Sequence, residues 1–239
     1  MILNKIKIRG IPAILWGEKS DRMLIAVHGS HSSKIDDCMW ILAEEAVKRG
    51  YQMLSFDLPQ HGERIYETRP CMAEECVKEL GVILDYVRRQ ASAVSVFGCS
   101  MGAYFSLLAY ADEPMEQAFF LSPVTDMGRI IHNIMRACGI SEQELQARRI
   151  VENPMETLYW DYYVYVREHP IVRWPHPTYI LRGEKDDLCE KAYVEAFAAR
   201  YGCDLTEQPG GEHWFHTEGE LDFFRRWLAD KWNTCADSI

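Results

Sequence analysis

The stretch Val94-Ser-Val-Phe-Gly-Cys-Ser-Met-Gly-Ala-Tyr-Phe-Ser-Leu-Leu108 decides the fold of this chain. A run that favours β structure leads into Gly98-Cys99-Ser100-Met101-Gly102, and a run that favours helix follows. Strand, sharp turn and helix with a serine at the apex form the G-x-S-x-G pattern of a nucleophile elbow. Side chains at the two glycine positions would collide with the neighbouring strand and helix. The helix that begins near Ser100 is predicted to direct its N–H groups and dipole towards an oxyanion there.

Strands and helices alternate on both sides of this stretch. Apolar periodicity predicts the following elements: a β-hairpin over 2–8 and 11–16, strands 23–27, 52–56, 117–121, 178–181 and 204–208, and helices 36–49, 72–90, 189–201 and 219–232. Helical crossovers of this length join parallel strands. The sequence therefore predicts one α/β domain over residues 1–239, with a mostly parallel central sheet flanked by helices.

The alternation breaks over residues 125–170. This segment contains no convincing strand and three predicted helical stretches, at about 127–138, 141–151 and 155–168. Its run from Leu158 to Tyr165 is dense in aromatic residues. We interpret the segment as a helical cap over the site, with Tyr159 and Trp160 as substrate-binding residues. The alternative is an extra helical layer that fills the core.

Composition excludes several classes of protein. The chain of 239 residues is 48% hydrophobic and 26% charged, which is ordinary for a globular protein. It has no apolar run of roughly 18 residues and no signal-peptide pattern at its N-terminus, so a cytoplasmic protein is expected. A net charge of −10 argues against nucleic acid or an anionic membrane as partner. The oligomeric state is left open.

Eight cysteines are scattered without a C-x-x-C pair, at positions 38, 71, 76, 99, 138, 189, 203 and 235. Such cysteines are expected to be reduced and mostly buried thiols. Cys99 lies beside Ser100, but the apex of an elbow is its middle residue. We therefore interpret Cys99 as a buried neighbour and not as the nucleophile.

A serine needs a base and a group that orients the base. His213 is the favoured base, because it lies in a glycine-bearing loop after strand 204–208; His216 is the second candidate. His28 and His31 lie in the loop after strand 23–27. Turn-stabilising hydrogen bonds are their favoured interpretation, although His28 and Gly29 are also predicted to border the substrate. No histidine pair has the carboxylate or cysteine pattern of a metal site, and no cofactor is implied.

The acid is expected just past a neighbouring strand. Asp186 and Asp187 follow strand 178–181, and one helix and one strand separate them from His213, so both loops return to the same sheet edge. Asp126 is a weaker alternative, and Asp187 is also a candidate helix N-cap. The resulting order of serine, aspartate and histidine is the one described for α/β-hydrolases.

Five motifs in order resemble those of single-domain serine esterases and peptidase-like enzymes of the α/β-hydrolase superfamily. They are His28-Gly29, Asp57-Leu-Pro-Gln-His-Gly62, the elbow, Gly183-Glu-Lys-Asp186 and Gly210-Gly-Glu-His213. The resemblance covers nearly the whole chain. It implies Asp186 as the acid, and the backbone N–H groups of Ser30 and Met101 as oxyanion donors.

The chain departs from this family in two places. Gln60 occupies the position of a usual glycine, and Arg64 that of a frequent serine. Both changes lie in a structural loop, so they concern its shape and not the chemistry. The His-Gly-Gly-Gly oxyanion signature of lipases is absent.

The sequence thus predicts hydrolysis of a small carboxylic ester or related acyl bond by Ser100, His213 and Asp186. A peptidase or thioesterase with the same triad remains open, and would need a charged anchor such as Arg129, Arg136 or Arg182. A non-catalytic ligand receptor that uses the hydrolase pocket is the other alternative, since a fold does not fix a function.

Overall fold

The computed structural model describes residues 1–236, with side chains through residue 232. Its strands are β1 (Leu3–Ile8), β2 (Ile11–Trp16), β3 (Arg22–Val27), β4 (Gln52–Phe56), β5 (Ala93–Cys99), β6 (Ala118–Leu121), β7 (Ile150–Val151), β8 (Leu158–Tyr159), β9 (Thr178–Gly183) and β10 (Asp204–Gln208). Its helices are α1 (Asp37–Lys48), α2 (Ala73–Arg88), α3 (Met101–Ala109), α4 (Met127–Cys138), α5 (Glu142–Arg148), α6 (Trp160–Glu168), α7 (Lys191–Tyr201) and α8 (Glu218–Ala236).

Eight of these strands form the central sheet, in the order β1-β2-β4-β3-β5-β6-β9-β10. Only the β1–β2 and β2–β4 pairs are antiparallel, and the other five pairs are parallel. The predicted hairpin and the mostly parallel sheet are therefore confirmed. Because β3, β5, β6 and β9 run in the same direction, the loops that follow them meet at one edge of the sheet.

Helices cover both faces of the sheet. Helices α1 and α8 bury residues such as Leu42 and Phe224 against one face, together with Trp16 and Phe97 of the strands. Helices α2, α3 and α7 pack on the other face. In α2 the buried residues recur at helical spacing, as Cys76, Leu80, Ile83, Leu84 and Val87, so one stripe of the helix faces the core.

The insertion over residues 125–170 differs in part from its prediction. A two-stranded hairpin of β7 and β8 interrupts the predicted helices, so α5 ends at Arg148 and α6 begins at Trp160. The Asn153 side chain accepts hydrogen bonds from the N–H groups of Met155 and Glu156, which closes the turn between the strands. Two paired residues on each side are too few to give a detectable alternation in the sequence.

The apolar face of the insertion is continuous with the main core. Ile131 and Ile134 of α4 and Tyr163 and Val166 of α6 belong to the same cluster as the buried residues of α2 and α3. The insertion is therefore packed as a layer on the domain while it follows β6 at the edge that carries the elbow. Within the described residues, no helix combines the length and apolar character needed to cross a membrane.

Candidate active site

Ser100 occupies a strained backbone conformation at the end of β5. Its φ of 49° and ψ of −116° lie in a region that residues with a side chain rarely adopt. Neighbouring segments hold it there. Its N–H donates to the carbonyl of Leu121 at 2.9 Å, and its own carbonyl accepts from the N–H groups of Ala103 and Val124 at 3.1 and 3.2 Å. The strain is thus maintained by the ends of β6 and α3.

Two glycines permit the close approach that the turn requires. A Cβ on Gly98 would lie 2.5 Å from the Cα of Ala103. A Cβ on Gly102 would lie 2.4 Å from the carbonyl oxygens of Val27 and His28. Real Cβ atoms do not approach backbone this closely, so the first turn of α3 can pack on β5 and on the end of β3 only with glycine at both positions.

The structure brings Ser100, His213 and Asp186 into one chain of hydrogen bonds. The Ser100 Oγ lies 2.9 Å from the Nε2 of His213, and the Nδ1 of His213 lies 2.9 Å from the Oδ2 of Asp186. The carboxylate is buried, whereas a fifth of the His213 side chain is exposed. A buried carboxylate on Nδ1 favours the tautomer whose Nε2 accepts the serine proton.

The competing candidates lie elsewhere. Asp187 is exposed at the surface, and Asp126 accepts a hydrogen bond from the N–H of Arg129 as the N-cap of α4. The Nδ1 of His216 lies 2.8 Å from the carbonyl of Trp214, and its ring stacks on that indole. None of these three takes part in the hydrogen bonds that join Ser100 to Asp186.

The Asp186 carboxylate is oriented by backbone on the side away from His213. Its Oδ1 accepts from the N–H groups of Leu188 and Cys189 at 3.1 and 2.8 Å. Below it, the buried Arg182 donates to the Asp186 carbonyl and forms an ion pair with Glu207. The sequence analysis named Arg182 as one possible charged anchor for a substrate; with only 1% of its side chain exposed, it does not fill that role.

The loops after β9 and β10 pack directly on each other. A Cβ on Gly183 would lie 2.3 to 2.4 Å from backbone atoms of Gly211 and Glu212. The N–H of Lys185 also donates to the carbonyl of Gly211 at 2.8 Å. This close contact sets the distance between the loop that carries Asp186 and the loop that carries His213.

The loop after β3 borders Ser100. A Cβ on Gly29 would lie 3.2 Å from the Cβ of Ser100, so the backbone of Gly29 runs against the serine. Ser30 follows directly and is exposed, and Met101 opens α3. The first N–H groups of a helix have no acceptor within it, which leaves that of Met101 available.

His28 supports this loop from within. Its ring is fully buried; Nδ1 lies 2.7 Å from the carbonyl of Gly29, and Nε2 accepts from the N–H of Leu58 at 3.0 Å. Burial lowers the pKa of His28 to about 4, which keeps the ring neutral. With no exposed surface and both nitrogens bonded, His28 does not border a substrate. That prediction is corrected, and the alternative of turn-stabilising hydrogen bonds matches its contacts.

Tyr159 and Trp160 are held by contacts inside the insertion. Tyr159 pairs with Ile150 in the small hairpin, and the indole of Trp160 lies 5.6 Å from the ring of Tyr163. Both are half-buried. The hydroxyl of Tyr163 donates to Glu142, which fastens α6 to α5. Since Tyr163 is only 2% exposed, it stabilises the insertion and offers no surface to a ligand.

Cys99 contacts the helices on one face of the sheet. It packs against the cluster formed by α1 and α8, and removal from water raises the pKa of its thiol to about 12. The thiol is therefore protonated at neutral pH and unsuited to attack.

Among described residues, one set of three ligand atoms is close enough to share a metal ion: Asp186, Cys189 and His213. Two of them belong to the hydrogen-bonded triad, and the Cys189 thiol lies 3.6 Å from the carbonyl of Ser122.

Two residues near the elbow were missed by the sequence analysis. Tyr104 follows Ser100 by one helical turn and is 2% exposed, yet its hydroxyl has no hydrogen-bond partner among described atoms. Ser122, at the end of β6, has a φ of 45° and a buried, unpartnered Oγ. Tyr104 could have been found from the sequence, because it follows Ser100 by one helical turn and so lies on the same face of the helix. A positive φ at serine leaves no sequence signal.

Comparisons with known proteins agree with this architecture. The sequence profile of the alpha/beta hydrolase family matches residues 24–226, and the chain belongs to that family. The predicted α/β-hydrolase fold is thereby confirmed. Among curated proteins, the hydrolyase poxO of Penicillium oxalicum is 26% identical over 121 residues. That match covers 46% of this chain and 28% of poxO, so the likeness concerns a minor part of that protein.

Two solved structures illustrate the likeness of fold. Est1E from Butyrivibrio proteoclasticus, with ferulic acid bound, is 18% identical with a TM-score of 0.79, over 98% of this chain and 100% of that one. Alpha/beta hydrolase domain-containing protein 10 from mouse is 14% identical with a TM-score of 0.77, over 98% and 99% of the two chains. At these identities the likeness concerns the fold alone.

Proposed function

We propose that this protein is a serine hydrolase that cleaves a carboxylic ester, or a related acyl bond, of a small molecule through an acyl-enzyme. The observation that carries the proposal is the continuous chain of hydrogen bonds from Ser100 through His213 to Asp186, with both distances at 2.9 Å. Nucleophile, base and orienting acid within hydrogen-bond reach are the arrangement that activates a serine.

In the first half-reaction, the Ser100 Oγ attacks the acyl carbon while its proton passes to the Nε2 of His213. Asp186 stabilises the imidazolium that forms, and the same proton then goes to the leaving oxygen. The backbone N–H groups of Met101 and Ser30 are the proposed donors to the oxyanion. In the second half-reaction, His213 takes a proton from water and the resulting hydroxide attacks the acyl carbon. The bond between the acyl group and the Ser100 Oγ then breaks, and His213 returns the proton to Ser100. No cofactor takes part.

A small neutral leaving group suits the site better than a coenzyme A thioester or a peptide amine. Of the anchors considered for those substrates, Arg182 is buried, and Arg129 forms an ion pair with Glu190 and stacks over Tyr193. Arg136 donates to the side chain of Asn133 on its own helix. Because Est1E is described with ferulic acid bound, esters of aromatic acids belong in the substrate panel beside esters of aliphatic acids.

A fluorophosphonate probe tests the proposal directly, because it reacts only with a serine that has an assembled base and oxyanion hole. We expect one adduct, on Ser100, and turnover of at least one p-nitrophenyl ester in a panel of graded acyl length. Ser100→Ala should abolish labelling and turnover, whereas the matched neighbour variant Cys99→Ala should keep both. An adduct on Cys99, or none on a folded protein, would contradict the proposal. Tight ligand binding that survives Ser100→Ala, without turnover by the wild type, would favour the receptor.

A further inference from the structure

A pair of thiols lies at the start of α2, outside the triad. Cys71 precedes the helix and Cys76 lies in its first turns, and their sulfur atoms are 3.5 Å apart. Cys71 is half-buried, whereas Cys76 is fully buried. A disulfide needs the sulfurs to approach to about 2.05 Å, which is a movement of about 1.5 Å.

His61 completes the cluster. Its Nδ1 is committed to the carbonyl of Pro59 at 2.8 Å, and the ring also interacts with the Cys71 thiol. Hydrogen bonds from Cys76 and then His61 lower the pKa of Cys71 to about 6 against the opposing effect of burial. The partnership with Cys71 raises the pKa of His61 in turn. At neutral pH, Cys71 is therefore largely thiolate, and its partnership with His61 favours the protonated form of that ring.

Other charged and titratable groups also face the cluster of Cys71, Cys76 and His61, and they do not cancel the lowering of the Cys71 pKa. Glu79 of α2 opposes the thiolate, and Arg64 lies near Cys76. Asp57 favours the charged form of His61. Tyr162, from α6 of the insertion, approaches both thiols, and burial raises its pKa so that it is neutral. The pair therefore lies between α2 and the insertion.

We propose that Cys71 and Cys76 form a peroxide-reactive dithiol site, in which Cys71 is oxidised first and Cys76 closes a disulfide with it. This inference does not depend on the proposed hydrolase activity, because neither thiol touches the triad in the hydrogen bonds described. The chemistry uses hydrogen peroxide as the oxidant.

The Cys71 thiolate attacks one oxygen of hydrogen peroxide; an S–O bond forms and the O–O bond breaks. The departing hydroxide takes a proton from solvent or from the neighbouring His61 ring and leaves as water, so that Cys71 is now a sulfenic acid. The sulfur of Cys76 then displaces hydroxide from Cys71: an S–S bond forms and the S–O bond breaks. That hydroxide takes the Cys76 proton and becomes the second water. The two thiols lose two electrons, which reduce one peroxide to two waters.

The reactivity of the other described thiols can be compared with that of Cys71. Cys38 donates to a backbone carbonyl, and burial raises the pKa of Cys203 to about 11. At pH 7 a thiol with a pKa near 6 is about nine-tenths thiolate, and one near 11 about one ten-thousandth. Nucleophilicity falls by roughly 0.45 log units for each unit by which the pKa falls, so Cys71 should react roughly 50-fold faster than Cys203.

The test is to treat the reduced full-length protein with one equivalent of hydrogen peroxide and to map its peptides by mass. We expect a Cys71–Cys76 disulfide, seen as the loss of two hydrogen atoms and reversed by dithiothreitol. Cys76→Ser should instead accumulate a sulfenic acid on Cys71, trapped by dimedone, whereas Cys71→Ser should form neither product. The matched control Cys203→Ser should form the disulfide as the wild type does.

Competitive alkylation of the wild type by iodoacetamide at pH 7 needs no variant, and should show the roughly 50-fold preference for Cys71 over Cys203. Equal alkylation of the two thiols would overturn the inference. So would peroxide oxidation spread over several cysteines with no Cys71–Cys76 disulfide. Fluorophosphonate labelling of Ser100 is measured in the same samples. Because it reports on the serine and not on the cysteines, failure of the dithiol proposal can be distinguished from failure of the proposed hydrolase activity.

Discussion

The substitution Asp186→Asn probes the triad most sharply, because backbone contacts dictate how the new amide must lie. The Oδ1 of Asp186 accepts from the N–H groups of Leu188 and Cys189. An asparagine must keep its carbonyl oxygen on those donors. Turning the amide over would set its NH₂ against two N–H groups and leave the buried N–H of Cys189 without an acceptor, at about 1–3 kcal/mol. The amide NH₂ then faces the Nδ1 of His213.

An NH₂ group on Nδ1 reverses the histidine tautomer. Nδ1 must now accept, so the proton moves to Nε2, which lies 2.9 Å from the Ser100 Oγ and can no longer take the serine proton. In a serine protease the equivalent change lowers kcat about 10⁴-fold, or about 5 kcal/mol in the barrier. We expect a loss of that order here, with the folded structure retained because the side chains have nearly the same shape.

The assay is kcat/KM for the p-nitrophenyl ester that the wild type turns over best, with fluorophosphonate labelling rates and thermal unfolding measured alongside. Asp187→Asn is the matched control, because it makes the same chemical change one residue away on an exposed side chain. It should retain activity within about threefold, because Asp187 takes no part in the hydrogen bonds that join Ser100 to Asp186. Its stability should also change little, since surface substitutions rarely change the free energy of unfolding by more than about 0.5 kcal/mol. Equal and mild losses in the two variants would refute the tautomer argument and return Asp126 to consideration.

Three further predictions follow from other parts of the structure. Gly62→Ala should destabilise the fold by about 3 kcal/mol in urea unfolding, because its φ is +53° and its Cβ would lie 2.2 to 2.6 Å from the buried carboxylate of Asp57; an unchanged midpoint would contradict this. His28 has a folded pKa of about 4 against 6.5 when unfolded, so only the unfolded chain gains its proton as pH falls through this window. The contribution of His28 should lower the free energy of unfolding by about 2 kcal/mol between pH 7 and pH 5. His28→Gln should remove this part of the pH dependence. Trp160→Ala should shift acyl-chain preference across the ester panel while Ser100 labelling persists; a change in thermal stability alone would favour the core-layer interpretation.

The order of elements, and the meeting of Ser100, His213 and Asp186 at one sheet edge, could be predicted because their signals are local. The strand, glycine-flanked serine and helix of residues 94–108 are contiguous, and the buried residues of α2 recur at helical spacing. In a parallel sheet the carboxyl ends of neighbouring strands share an edge, so Asp186 and His213 could be placed near Ser100 from strand order alone. The choice of Asp186 over Asp187 rested on the family resemblance, and in the structure only the Asp186 carboxylate meets His213.

Tertiary structure alone decided the features that depend on partners distant in sequence. The sequence could not show that Arg182 is buried under the acid, or that both nitrogens of His28 are bonded to backbone. The hairpin of β7 and β8 was missed because two residues per strand carry no periodicity. Gln60 has a φ of 60° at the position where the family resemblance expects glycine, so the loop keeps a left-handed turn in spite of the substitution. Such features depend on burial and on contacts between distant segments. Local patterns determine which elements form. Only the packing of those elements determines which polar groups are hydrogen-bonded within the protein and which remain available to react.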